Sequence, residues 1–120
     1  MYLGMYLQAE VAEAEVVMWL MYLNGRGVLQ DYKEAVRWYR LAAEQGDHRG
    51  QFNLGHMYAN GYGVLQDDVY AHMWLNIAAA NGNEQAKEFR EIIVQEMTSA
   101  QIAEVQKLAR ECVAKEYKGC

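Results

Sequence analysis

One register dominates this sequence: shifted by 36 residues, the chain matches itself. The segment Tyr22-Leu23-Asn24-Gly25-Arg26-Gly27-Val28-Leu29-Gln30-Asp31 lies over Tyr58-Ala59-Asn60-Gly61-Tyr62-Gly63-Val64-Leu65-Gln66-Asp67. The match runs on through Ala35 and Ala71, Trp38 and Trp74, Ala42 and Ala78, Ala43 and Ala79, and Gly46 and Gly82. Self-similarity at such a period marks one supersecondary unit, and units of this kind stack because none can bury its apolar face alone. The chain is thereby committed to an array of hairpins.

Each element of the repeat has a physical reading. Asn24-Gly25 and Asn60-Gly61 end a first helix, because glycine accepts the left-handed conformation that closes a helix C-terminus, and Gly27 and Gly63 keep the following turn tight. Val28-Leu29 and Val64-Leu65 are expected to plug the gap between helices. Asp31 and Asp67 stand where the second helix begins, as acceptors for its free N–H groups, and Glu34 completes a capping box in the first copy. Along that helix Ala35, Trp38, Leu41 and Ala42, and again Ala71, Trp74, Ile77 and Ala78, recur at helical spacing on one face. A large aromatic framed by alanines permits close helix approach, so Trp38, Trp74, Tyr22 and Tyr58 are assigned to the core. Gly46 and Gly82 end the unit.

The pattern Leu54-Gly55-x-x-Tyr58-x-x-Gly61-x-Gly63-Val64-x-x-Asp67-x-x-x-Ala71-x-x-Trp74-x-x-x-Ala78-Ala79-x-x-Gly82 resembles the Sel1-like repeat, a relative of the tetratricopeptide repeat. The resemblance covers roughly residues 11–86 and implies an all-α fold, a right-handed α-α superhelix of about six helices with its first helices lining a concave surface. It also implies an adaptor or scaffold that binds a protein or peptide partner, without shared catalytic residues. Variable first-helix positions on the concave side are then the candidate partner-binding residues: Val17, Leu20 and Asn24 in the first copy, Asn53, His56 and Asn60 in the second. Exposed Val17 and Leu20 would suggest a surface covered by a partner or by a second copy of the chain.

The whole chain, 1–120, is expected to be one solenoid domain: a degenerate N-terminal helix over 1–10, a divergent repeat over 11–46, a regular repeat over 47–82 and capping helices over 83–120. The first copy carries Met18-Trp19 where the second has Leu54-Gly55, and Glu10 stands where the turn glycine Gly46 would be. Residues 2–23 are therefore expected to form one long helix or a loosened hairpin. Past Gly82 the repeat signatures lapse, and Thr98-x-x-Gln101 reads as a capping box opening a last helix to about Tyr117, with Ile102, Val105, Leu108, Ala109 and Cys112 as its apolar stripe.

Composition narrows the partner classes. With 52% hydrophobic and 22% charged residues, the 120-residue chain has a globular balance. A net charge of −5 and 11 scattered Lys and Arg residues give no basic footprint for nucleic acid. No apolar run approaches the roughly 18 residues of a spanning helix, so no membrane insertion is expected. Cys112 and Cys120 read as free thiols, with a local bridge as the alternative, and a cytoplasmic location is expected for the chain as given; if a leader was removed, a periplasmic or secreted one.

The three histidines, His48, His56 and His72, do not have metal-ligand spacing and read as solvated surface groups. The Gly-x-Gly sequences belong to helix turns instead of nucleotide cradles, and no cofactor is expected. Cysteine-rich members of the wider family have been linked to β-lactam binding, but they carry paired cysteines in each repeat, which this chain lacks inside its repeats. A hydrolase is thus the remote alternative to an adaptor, and a self-associating assembly module, dimeric through the N-terminal helix, is the nearer one. Light scattering coupled to size exclusion, over roughly a hundredfold concentration range, separates the last two readings. A dimer that vanishes when Trp19 and Leu20 are made polar indicates assembly; a constant monomer mass leaves that face for a different partner.

Overall fold

In the computed structural model of this chain, residues 32–120 are described. They form five α-helices and, within that range, no strand: α1 Tyr32–Glu44, α2 His48–Asn60, α3 Asp68–Ala80, α4 Glu84–Val94 and α5 Ser99–Ala114. The all-α hairpin architecture expected from the repeat is present. Expectations placed on 1–31, including the long first helix and the roles of Val17, Trp19, Leu20, Tyr22, Asn24, Gly25, Gly27, Val28, Leu29 and Asp31, lie outside the described residues.

Helix starts follow capping chemistry. Asp47 caps α2 by accepting from the Arg49 amide at 2.8 Å, Asp67 caps α3 through the Tyr70 amide at 3.1 Å, and Asn83 caps α4 through the Ala86 amide at 2.8 Å. At α5, Thr98 accepts from the Gln101 amide at 3.1 Å while the Gln101 side chain accepts from the Thr98 amide at 2.9 Å, a complete capping box. Each such cap contributes about 1 kcal/mol. At the other end of α2, Gly61 has φ +70° and its N–H donates to the Met57 carbonyl. Gly63 has φ +73°, and a Cβ there would sit 2.5 Å from the Tyr32 carbonyl carbon and oxygen, so the glycine serves both conformation and close approach.

Small residues set the helix crossings. A Cβ on Gly50 would lie 2.5 Å from the Ala42 Cβ, so α1 and α2 meet almost backbone to backbone. A Cβ on Gly55 would lie 3.1 Å from the Ala71 carbonyl oxygen and from Leu75 Cγ, which brings α2 onto α3. Helix α3 in turn packs against α2, α4 and α5. Its Ala71, His72, Met73, Trp74, Leu75, Ile77, Ala78 and Ala79 are all buried. Tyr58 ties three helices: its ring stacks on Tyr70 at 5.4 Å, and its hydroxyl accepts from Arg40 Nη2 at 2.8 Å.

The structure corrects several side-chain expectations. Leu65 does not plug the inter-helix gap; it is 91% exposed, while Val64 packs on the core. The loop is drawn back to α2 by the Asp67 amide donating to the Tyr58 carbonyl, and only the Val64 side chain falls on the inner side. On α1 the buried face is Ala35, Val36, Tyr39, Ala42 and Ala43, whereas Trp38 is partly exposed and Leu41 is 44% exposed. Trp74, at the equivalent place in α3, is fully buried, because α3 has neighbours on three sides. The histidines are not surface groups either: His72 is buried and His56 half-buried. Helix α5 ends at Ala114, followed by turns over 115–119 instead of helix to Tyr117. Cys112 and Cys120 are not free thiols; they form a disulfide that folds this tail back onto α5.

The asymmetry between the repeat tryptophans has a measurable consequence. Trp74→Ala should cost about 3–5 kcal/mol in urea unfolding, as for a large fully buried aromatic, and Trp38→Ala distinctly less. Equal losses at the two positions would contradict the packing described here.

Candidate functional site

The described first helices, α2 and α4, present a continuous row of rings. On α2, Phe52, His56 and Asn60 are spaced by four residues and share one side of the helix. Gly55 is turned into α3, and Phe52 beside it is buried at 8% exposure among Ala71 and Leu75, so this face of α2 runs from the α3 contact toward α4. There the His56 ring stands edge-on to Phe89 of α4 with centroids 5.4 Å apart, and Phe89 meets Phe52 edge-on at 6.3 Å. The row continues through Tyr62 of the glycine turn, 6.3 Å from His56, to Tyr32 of α1, which stacks on Tyr62 at 4.8 Å. Tyr62 is 39% exposed, and Ile92, one turn along α4 from Phe89, is 65% exposed.

Placement divides the candidate residues of the second repeat. Asn60 is exposed and reaches back along its own helix, donating from Nδ2 to the His56 carbonyl at 2.9 Å, with the His56 ring nitrogen Nε2 at 3.4 Å. His56 stands in the ring row, half-buried. Asn53 is buried at 5% exposure, so its side chain belongs to the packing of α2 and is not a free edge of the surface. Reading the sequence alone missed Phe52, Tyr62 and Phe89. A signal was present for Tyr62, which occupies the variable position of Gly61-x-Gly63 where the first copy has Arg26. For Phe89 there was none, since it lies beyond the recognisable repeat.

Electrostatics in this region is governed by burial. Desolvation lowers the His56 pKa below its ordinary value of 6.5, so the ring is held neutral, and its Nδ1 has no partner among the described residues. His72 is shifted the same way, by desolvation first and by the Arg90 charge second. His48 is engaged structurally, its Nδ1 lying 3.1 Å from Nδ2 of the α4 capping residue Asn83. Among the described residues no group of three or more His, Cys, Asp or Glu side chains could hold a metal ion, and no helix is long and apolar enough to cross a membrane. Between α3 and α5 lies an open apolar groove of about 300 Å³ lined by Asn76, Ile77, Ala80, Ala109, Arg110 and Val113.

The neutral histidines give the fold a pH dependence of defined sign. Folded-state pKa values below the unfolded value mean that their contribution is present above about pH 6.5 and is lost as pH falls through it, when the unfolded chain binds the protons first. Urea midpoints should therefore drop between about pH 7.5 and pH 5, and His56→Gln and His72→Gln should each flatten that drop. A pH response unchanged in both variants would show that other groups carry it.

Comparison with known proteins agrees with this geometry. A family model described as Sel1 repeat matches residues 3–47 and 48–83. Among solved structures, the chain is similar to c5321, whose crystal structure is described as that of a protective antigen present in uropathogenic Escherichia coli strains, displaying an SLR fold. That similarity has 30% identity and a TM-score of 0.75, and it covers 87% of this chain but 23% of the other, so the present chain spans about a quarter of its length. A search of curated proteins finds no match. Paired helices, glycine-closed turns and matches over both copies lead to one conclusion: the chain belongs to the Sel1 repeat family.

Proposed function

We propose that this chain is a non-catalytic adaptor or scaffold, and that it holds a protein or peptide segment against the face formed by α2, α4 and the Gly61–Gly63 turn. The observation that carries the proposal is the ring row of Phe89, His56, Tyr62 and Tyr32, seated on the buried Phe52 and flanked by the 65% exposed Ile92. Aromatic side chains offer large contact area at low conformational cost and dominate protein recognition sites. Phe52 is buried and its ring meets both Phe89 and His56, so the partly exposed rings seated on it are preorganised, and a partner would not have to pay for ordering them. Sel1 repeats typically mediate contacts between proteins, and they are generally scaffolds without chemistry of their own. An extended segment or an amphipathic helix laid across the paired first helices fits this reading.

The disulfide bears on location. Bonds of this kind form and persist in oxidising compartments, which supports a periplasmic or secreted setting over the cytoplasmic one.

Tyr62→Ser combined with Ile92→Glu tests the docking face, because both side chains are exposed and the helices do not depend on them. Partners captured by the parent chain and identified by mass spectrometry should be lost by the double variant, with affinity reduced by about tenfold or more and thermal unfolding nearly unchanged. Undiminished capture would place recognition on another surface.

A further inference from the structure

Beyond α5 the chain does something the repeat pattern does not require. Its last residues turn back under the edge where second helices end, and they touch three elements there. The Tyr117 ring covers the α1–α2 turn, lying 3.4 Å from the position a Cβ would take on Gly46, and its hydroxyl accepts from Nδ2 of Asn81, the C-terminal cap of α3, at 3.4 Å. Lys118 Nζ donates to the Glu44 carbonyl at 2.9 Å, satisfying a free acceptor at the C-terminus of α1 and placing a cation at the negative end of that helix. The Gly119 amide reaches the Glu44 carboxylate at 3.5 Å. These contacts join residues 74 and 75 positions apart in sequence.

Tyr117 and Cys120 pack against the core, and two features indicate that this packing is not all that holds the tail. Glu116 and Tyr117 have φ of +55° and +67°, a left-handed conformation that residues with a side chain keep only when their surroundings impose it. What imposes it at the far end is the bond between Cys112, 1% exposed within the core, and the partly exposed Cys120. The bond is not what fixes α5, which is anchored on α3 by Val105, Leu108 and Ala109. It encloses only the tail.

We propose that residues 115–120 are a redox-controlled clasp: oxidised, the Cys112–Cys120 bond closes the tail over the α1–α2 turn; reduced, the tail lifts from Gly46 and gives up its hydrogen bond with Asn81 while the helices stay packed. The agent is a thiol or dithiol reductant. Its thiolate attacks the sulfur of Cys120, the less buried of the two cysteines, the disulfide breaks, and Cys112 leaves as a thiolate that takes up a proton. A second reductant thiolate then displaces Cys120 from the mixed disulfide, so that two electrons and two protons pass to the protein and the reductant ends as its own disulfide. Release follows because Tyr117 and Lys118 must then hold two left-handed residues without the covalent tie.

Limited trypsin digestion and hydrogen exchange on the oxidised protein, on the same protein after dithiothreitol, and on Cys120→Ser read the clasp directly. Cys120→Ser leaves the buried Cys112 in place and so spares the core. Cleavage after Lys118 should rise about tenfold in the reduced protein and in Cys120→Ser, with faster exchange at Gly46 and unchanged exchange in α2 and α3. Three results would each overturn the proposal: both thiols found free in air-oxidised protein, equal cleavage in the oxidised and reduced states, or loss of helical protection throughout on reduction and in Cys120→Ser.

Discussion

Everything described in this molecule leans on the burial of α3. Its alanines, Ala71, Ala78 and Ala79, and the facing Gly55 remove side-chain bulk where α2 crosses, so that Trp74, Leu75 and Met73 reach the interior with almost no exposed surface. Neither α4 nor α5 depends chiefly on the other; both lie on α3. A helix hydrophobic around most of its circumference has no stable exposed state, and the amphipathic helices beside it are the means by which it is covered. Stacking in this repeat is therefore the solution to one helix that cannot face water, in the sense that a solenoid is held by nearest neighbours.

The candidate docking face is a by-product of the same crossing. Because Gly55 draws α2 onto α3, the adjoining residues four apart, Phe52, His56 and Asn60, run from the core past α4 to the glycine turn. Phe89 of α4 then completes a row that spans residues from three segments of the chain. Gly61 and Gly63, both at positive φ, carry Tyr62 out between them and set its ring against Tyr32. The burial that neutralises His56 is the cost of placing a polar ring in that row; Asn60 supplies a neighbour for one of its nitrogens.

Much of the fold was legible in the residues. Helix ends at Gly61, Gly82 and Gly46, the caps Asp67 and Thr98, and the pairing of the helices follow from local chemistry, since a cap needs only its own helix and a positive φ needs only its own glycine. Legibility failed where the answer depended on a neighbour. Trp38 and Trp74 carry the same letter at the same place in the repeat, yet one is partly exposed and the other sealed, and among the described helices it is α3 that is enclosed by three others. Leu65 looked like a plug by hydrophobicity alone and stands in water. His72 looked like a surface group by polarity alone and is buried beside Arg90 and among apolar neighbours.

The site divides along the same line. His56 and Asn60 could be proposed from repeat position, while Asn53, proposed on identical grounds, is packed away, and Phe89 entered only once α4 lay beside α2. Cys112 and Cys120, eight positions apart, gave no framework by spacing; in the structure they are bonded across a turn with two left-handed residues. The sequence by itself determined the period, the helix caps at Asp67 and Thr98 and the glycine turns, because those rest on interactions within a few residues. Only the tertiary structure decided which aromatics are core, which form a surface and which cysteines meet, because burial and proximity are properties of a neighbour's position and not of the residue's own identity.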